Sequence, residues 1–457
     1  MTEPYDLSLC EAAEAIRQKR LSPAELLDST LGRIERVEPR VLAWARICSE
    51  DARREARRLT DLQAHGTILG PLHGIPVGVK DIYYTEGVET RCGSPIMAGF
   101  VPTEDATAVV RLRRAGAIVL GKTHTTEFAC LDPSPTRNPW ALDHTPGGSS
   151  SGSAGAVAAR MCHGALGSQT SGSIIRPAAF CGIVGLKPTF GRVSRHGVHP
   201  LAWTLDHPGP MARTVSDAAV LLDVVAGPDP KDPATLSTPE PKHAGALDDP
   251  KAQAETARRL RVGIPDRYFT EGLDPEAGRA FSAAVYGLGR LGCRVQQVRL
   301  PALFEAGMEA HELIFSVEVA AVHIETYRTR AHEYGPKLRA LIETGLQVPG
   351  PTYVRAQQLR TVLIGAMRDL LDEVDMLATP ATLGPAPEGL ASTGSPVYNR
   401  PFSFIGFPSL GLPCGFTVKG LPLGLQLVGR PFDERTILSL AAAYEAEAPW
   451  TGEAPPL

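Results

Sequence analysis

Two serine- and glycine-rich stretches and one lysine carry the chemistry open to this chain. The first, TPGGSSSGSAGA at 145–156, has no apolar anchor before Ala154. The second, GSQTSGSIIRPAAFCG at 167–182, runs straight into an apolar segment. A flexible linker would be longer and would not lead into IIRPAAFCGIVGLKP. Small residues leave the backbone uncovered, so the N–H groups of Thr170, Ser171, Gly172 and Ser173 could converge on a developing oxyanion. Composition alone allows a tight turn between buried elements equally well. Lys80 stands in PVGVKDIYY, an otherwise apolar strand, with Asp81 beside it. The pattern by itself favours a strand-end lysine reaching out to solvent. A buried lysine would instead lose its proton readily and could serve as a base.

Three other motifs compete. GAIVLGKT at 116–123 matches the phosphate-loop pattern, with Lys122 as its lysine. Its middle, Ala-Ile-Val-Leu, reads as buried strand, and Gly116 reads as the cap of the preceding helix. GSSSG at 148–152 satisfies G-x-S-x-G with Ser150 at its centre. That elbow needs a strand directly before it, and PTRNPWALDHTPG reads as loop; an esterase using Ser150 stays open as a second reading. RHGVHPLAWTLDH groups His196, His199, Asp206 and His207, but Gly197 and Pro200 interrupt any common face. Exposed loop histidines, and no metal, are the expectation there.

Taken together, LHGIPVGVKD (72–81), GKTHTTEFA (121–129), TPGGSSSGSAGAVAA (145–159), SQTSGSIIRPAAFCGIVGLKPTFGRVS (168–194), LDHPGPMARTVSDAA (205–219) and PLGLQLVG (422–429) resemble the amidase signature family of serine hydrolases. The resemblance covers nearly the whole chain. It implies Lys80 as the base, Ser149 as a bridging serine after a cis peptide bond, and Ser173 as the nucleophile. It also implies an oxyanion hole from the N–H groups of Thr170 to Ser173, with Ser150, Gln169 and Arg176 in support. No metal or cofactor is implied. The commoner pattern at the nucleophile is D-[TI]-G-G-S-I-R-x-P. This chain has Gln169 for the aspartate, Ser171 for the first glycine, and its arginine displaced to Arg176. The usual aspartate and arginine support is therefore in question, and the variant sets the chain apart from the glutamyl-tRNA amidotransferase subunit.

These residues must be held by a fold. With 457 residues, 43% hydrophobic and 21% charged, the chain can build one large core. LSPAELLDSTLGRIERV opens with Ser22, Pro23 and Glu25, a capping box, and 49–64 continues at helical spacing. Residues 74–84, 115–123, 258–265 and 293–301 read as strands, alternating with helices at 216–227 and 275–291. The expectation is a single α/β/α domain over 1–457 around a mixed, mostly parallel sheet, completed from both ends of the chain. The polar stretch 228–258 and the helical 302–372 are expected to form a variable cover.

A net charge of −4 offers no broad basic surface for nucleic acid. Eight scattered cysteines form no CxxC pair and suit a reducing compartment. The N-terminus lacks a secretory core, and no run reaches the ~18 apolar residues of a membrane span. The combined expectation is a cytoplasmic amide C–N hydrolase, with carbamates (urethanes), arylamides and esters within reach of the same chemistry. It would meet a small-molecule amide or carbamate, without nucleic acid or membrane, with a homodimer as the base-rate assembly. An amidotransferase-type subunit needing partner chains is the alternative.

Overall fold

The computed structural model describes residues 3–235, 243–247, 249–448 and 453–457. Strands drawn from residues 44 to 429 enter one 11-stranded sheet. In chain order they are β1 (Trp44–Ile47), β2 (Pro76–Lys80), β3 (Ile118–Thr123), β4 (Gly164–Gln169), β5 (Val184–Lys187) and β6 (His207–Ala212). They continue as β7 (Arg261–Pro265), β8 (Arg294–Val298), β9 (Met376–Pro380), β10 (Ser409–Phe416) and β11 (Pro422–Gly429). Across the sheet the order is β1-β3-β2-β4-β6-β5-β10-β11-β9-β7-β8.

The mixed α/β class agrees with the sequence reading, but the sheet is not mostly parallel. Only β3–β2, β2–β4, β9–β7 and β7–β8 pair in parallel. The other six neighbouring pairs are antiparallel. Three of these come from the β10–β11 hairpin, which inserts between β5 and β9, and the others from β1 against β3 and from β6, which runs against both β4 and β5. Helical crossovers thus dictate parallel pairing only towards the two ends.

Helices cover both faces, and two separate apolar clusters form the core. The Ser22 capping box is present: Glu25 N–H donates to Ser22 Oγ at 3.2 Å and Ser22 N–H to Glu25 Oε2 at 2.8 Å. Helices Ser49–Ala64, Val215–Val225 and Pro275–Arg290 stand where their apolar spacing placed them. The 302–372 segment folds as helices Phe304–Arg330, Pro336–Leu346 and Gly350–Glu373. In the 228–258 stretch, residues 236–242 and 248 lie outside the described residues. Asp229 accepts from Thr107 and Ser194, and Asp232 pairs with Arg195.

Strand alternation aims the chemistry. Val77 and Val79 of β2 pack into one core cluster, which directs Gly78 and Lys80 to the opposite face. There, a Cβ on Gly78 would press on Thr123 and Trp44. The helix Ser151–Ala158, wholly buried, packs across β2, β3 and β4 on that side. A β-bulge in the β2–β3 register shifts the next strand, so Lys122 pairs with Val79 and shares its face instead.

Candidate active site

The 145–156 stretch is a turn feeding a buried helix. Gly147 has φ +81°, and a Cβ there would strike Pro177 Cα at 2.9 Å. Gly152 lies so close to the backbone of Ala43 and His124 that no side chain fits. The tight approach sets Ser149 just ahead of the helix. The Gly148–Ser149 peptide is cis, as the resemblance implies.

Lys80 ends β2 beneath this turn, fully buried rather than reaching solvent. Its Nζ lies 2.7 Å from Ser149 Oγ and 2.8 Å from Ser168 Oγ. Among the described residues no carboxylate comes within ion-pair distance of it, unlike Lys122, which lies 3.3 Å from Asp81. Burial therefore lowers the Lys80 pKa to about 7, with the Asp206 carboxylate only partly opposing the shift. A good fraction of the amine is thus neutral at neutral pH and able to accept a proton.

Ser173 is buried at the start of the turn into the helix Ile175–Cys181. Its hydroxyl makes no hydrogen bond with the described residues, and the Ser149-to-Ser173 step is not closed by one. The N–H groups of Ser171, Gly172 and Ser173 take no partner among the described residues, so they remain available to an acyl oxygen. Thr170 donates its hydroxyl to Asp206 Oδ1 at 2.6 Å, anchoring the start of the loop.

The supporting residues answer the question raised by the unusual motif. Gln169 Oε1 accepts the N–H groups of Ile174 at 2.8 Å and Ile175 at 3.0 Å, a task an aspartate oxygen would also suit. Arg176 donates to the Gly148 carbonyl at 2.6 Å and the Gly394 carbonyl at 2.6 Å, joining the two serine loops from behind. Its pKa is lowered to about 10 by burial. Ser150 Oγ donates to the Ser168 carbonyl and accepts the Ser168 N–H, both at 3.2 Å. No strand precedes it, so the elbow geometry is missing.

Sequence reasoning missed Ser168 and passed over Asp206 as a metal-loop residue. Ser168 sits in the quoted motif, one strand over from Lys80, and only strand adjacency marks it. The expected exposed loop histidines are corrected: His207 begins β6 and is buried. No cluster of three metal-binding side chains forms among the described residues. Lys122 is buried too, donating to the Tyr83 carbonyl at 2.5 Å and Thr90 Oγ1 at 2.6 Å. A lysine so committed cannot reach a phosphate.

The Amidase family matches residues 25–438. The chain belongs to the amidase family. It is 40% identical to a glutamyl-tRNA(Gln) amidotransferase subunit of Roseiflexus sp. (strain RS-1), covering 100% of this chain and 99% of that one. Among solved structures it resembles the native peptide amidase from Stenotrophomonas maltophilia, with TM-score 0.85, 31% identity and coverage of 100% and 99%. It also resembles a chain from an inhibitor-bound complex tied to the origins of an s-triazine catabolic enzyme, with TM-score 0.90, 31% identity and coverage of 98% and 99%.

These likenesses correct two expectations. The chain is similar end to end to an amidotransferase subunit, so the expectation that it stands apart from that subunit is corrected. The expected lone enzyme, meeting only a small amide or carbamate, free of nucleic acid and paired as a homodimer, is also overturned. A relative matched along its full length is one subunit of an enzyme named for a tRNA. Net charge and a catalytic motif report the chemistry of one chain and say little about its assembly. No helix among the described residues is long and apolar enough to cross a membrane.

Proposed function

We propose that this chain is the amide-cleaving subunit of an amidotransferase-type assembly, and that it breaks a C–N bond through an acyl-enzyme on Ser173. The observation that carries the chemistry is Lys80, fully buried, bonded to Ser149 and Ser168, with its pKa lowered to about 7. The full-length likeness to the Roseiflexus amidotransferase chain supports the assembly. Eight cysteines, none of them joined in a disulfide among the described residues, suit a cytoplasmic setting.

A serine hydroxyl needs a positioned base to attack at neutral pH. Neutral Lys80 takes the Ser149 proton as Ser149 takes that of Ser173. Ser173 Oγ then bonds the carbonyl carbon, and the N–H groups of Ser171 to Ser173 hold the oxyanion. As the C–N bond breaks, the proton returns through Ser149 to the leaving nitrogen. Water attacks the acyl-enzyme along the same relay and restores Ser173. Carbamates and esters are open to the same steps, since they differ only in leaving group and acyl substituent.

Fluorophosphonate labelling read by peptide mass spectrometry tests the nucleophile, and ammonia release from a primary amide tests the reaction. Both are run on the chain alone and on whatever copurifies with it from its own cells. An adduct on Ser173 that disappears in Lys80→Ala supports the relay. Full turnover by the chain alone, unchanged by any copurifying protein, would remove the assembly from this reading, and turnover in Ser173→Ala would remove the nucleophile.

A further inference from the structure

The two departures from the common nucleophile motif, Gln169 and Ser171, meet in one buried hydrogen-bond network. Ser403, in the short helix Arg400–Phe404, donates its hydroxyl to the Ser171 carbonyl at 2.8 Å and accepts from Gln169 Nε2 at 2.9 Å. The oxygen of the same Gln169 holds the N–H groups of Ile174 and Ile175. The backbone is therefore gripped on both sides of Gly172 and Ser173 by one pair of side chains. From the cover, His311 on the helix Phe304–Arg330 brings its Nε2 to 3.3 Å from Ser171 Oγ.

The surroundings leave this loop no slack. A Cβ on Gly172 would lie 2.8 Å from Asn399 Oδ1 and 2.9 Å from Pro396 Cβ. The His311 ring stacks on Phe315 with centroids 5.9 Å apart and meets the edge of Phe404 at 5.7 Å. It is buried, and burial together with the nearby Arg400 and Arg360 charges lowers its pKa to about 3, with only the Thr170 backbone opposing. A neutral imidazole so placed acts on the loop by hydrogen bonding, and Ser171 offers it a side-chain hydroxyl.

Resting on the reading of Ser173 as nucleophile, we infer that His311 and Ser403 are positioning residues for the oxyanion loop. They hold Ser171 from opposite sides and so tie the aim of the Gly172 and Ser173 N–H groups to the seating of the cover helix. A glycine at 171 could take the Ser403 bond but not the His311 bond. Ser171 is thus the residue through which the cover acts on the loop.

The test is the second-order rate of fluorophosphonate labelling of Ser173, measured with thermal stability across pH 6 to 9. His311→Phe keeps the ring and removes its nitrogens, and the labelling rate should fall about tenfold, a fraction of the loss of a whole oxyanion donor. The pH midpoint set by Lys80 should not move. Ser171→Gly should fall by a similar factor, and His311→Phe added to it should cost little further, since both break the same bond. His311→Gln, which can offer an amide N–H to Ser171, should recover part of the rate.

Losses that multiply in the double variant would overturn the inference. So would a lowered melting temperature with an unchanged labelling rate. If His311→Phe does not fold, Ser171→Gly and Ser403→Ala carry the same comparison from the loop side. Unlabelled Ser173 in the unsubstituted protein would instead overturn the nucleophile assignment, a different failure from labelled Ser173 indifferent to His311.

Discussion

Two lysines, Lys80 and Lys122, stand on adjacent strands, both wholly buried, and their surroundings give them opposite work. Lys122 has a carboxylate, a backbone carbonyl and a hydroxyl around its Nζ, supplied by Asp81, Tyr83 and Thr90. Among the described residues Lys80 has two hydroxyls. Desolvation lowers the pKa of both; Asp81 opposes it for Lys122 at ion-pair distance, whereas Asp206 opposes it for Lys80 without an ion pair. A buried charge with a partner is a structural element, whereas a buried amine without one becomes a base. What separates the two is one β-bulge, which turns Lys122 to the face where Asp81 can meet it.

The sharpest way to break this contrast is to remove each lysine in turn. Lys80→Ala should lower amide turnover and Ser173 labelling by roughly 10^4-fold or more, as loss of a relay member does in serine hydrolases. Circular dichroism should show the fold retained, since no buried carboxylate is left without its partner. Activity surviving in Lys80→Ala would end the claim that the hydroxyl-only pocket makes the base.

Lys122→Ala should do the reverse. It strands Asp81 beside an empty space, at a cost of about 3–5 kcal/mol in stability read from denaturant unfolding. Turnover per folded molecule should stay within a few-fold. Lys122→Ala together with Asp81→Asn should recover part of the stability, because the uncompensated charge is gone. Loss of turnover in a folded Lys122→Ala protein would mean that the two pockets are coupled.

The same contrast marks what sequence could reveal. Lys80 and Lys122 occupy similar apolar strands, GIPVGVKD and GAIVLGKT, and local pattern gave both the fate of a strand-end or motif lysine. Helix caps and strands were readable because they depend on near neighbours, as at Ser22 and Glu25. The antiparallel middle of the sheet was not, because β10 pairs with β5 across more than 200 residues. Ser149 and Ser173 became legible through motifs spread along the chain. Ser168, Ser403 and His311 did not, since the contacts that define them are long-range and their residue types are ordinary. Departures at Gln169 and Ser171 looked like missing support until the structure placed Ser403 and His311 beside them.

A pH profile sharpens the comparison without touching the sequence. As the proposed base, Lys80 must be neutral to accept a proton, and burial lowers its pKa to about 7. Labelling of Ser173 should therefore fall about tenfold per pH unit well below 7 and level off above 8. The sign for stability is also fixed. Between about 7 and the ordinary lysine value of 10.5, the unfolded chain holds a proton on this lysine that the folded chain has shed. Lys80 thus makes the fold more stable as pH rises through that window, and stops contributing any slope above it. A rate midpoint near the ordinary lysine value of 10.5 would show Lys80 charged in the folded protein.

The smallest expected effect concerns Ser168, which distinguishes two hydroxyls around one amine. A neutral lysine has two N–H donors and one lone pair. If Ser168 Oγ accepts one N–H, the lone pair is left to face the Ser149 hydroxyl, whose proton must come off first. Ser168→Ala should then lower the labelling rate about tenfold, the worth of one hydrogen bond. It should also shift the pH midpoint down, because the ammonium form loses an acceptor that favoured it. Ser168→Thr, which keeps the hydroxyl, should restore both. A drop in rate with an unmoved midpoint would make Ser168 a packing residue of β4, and Ser149 alone would then orient the base.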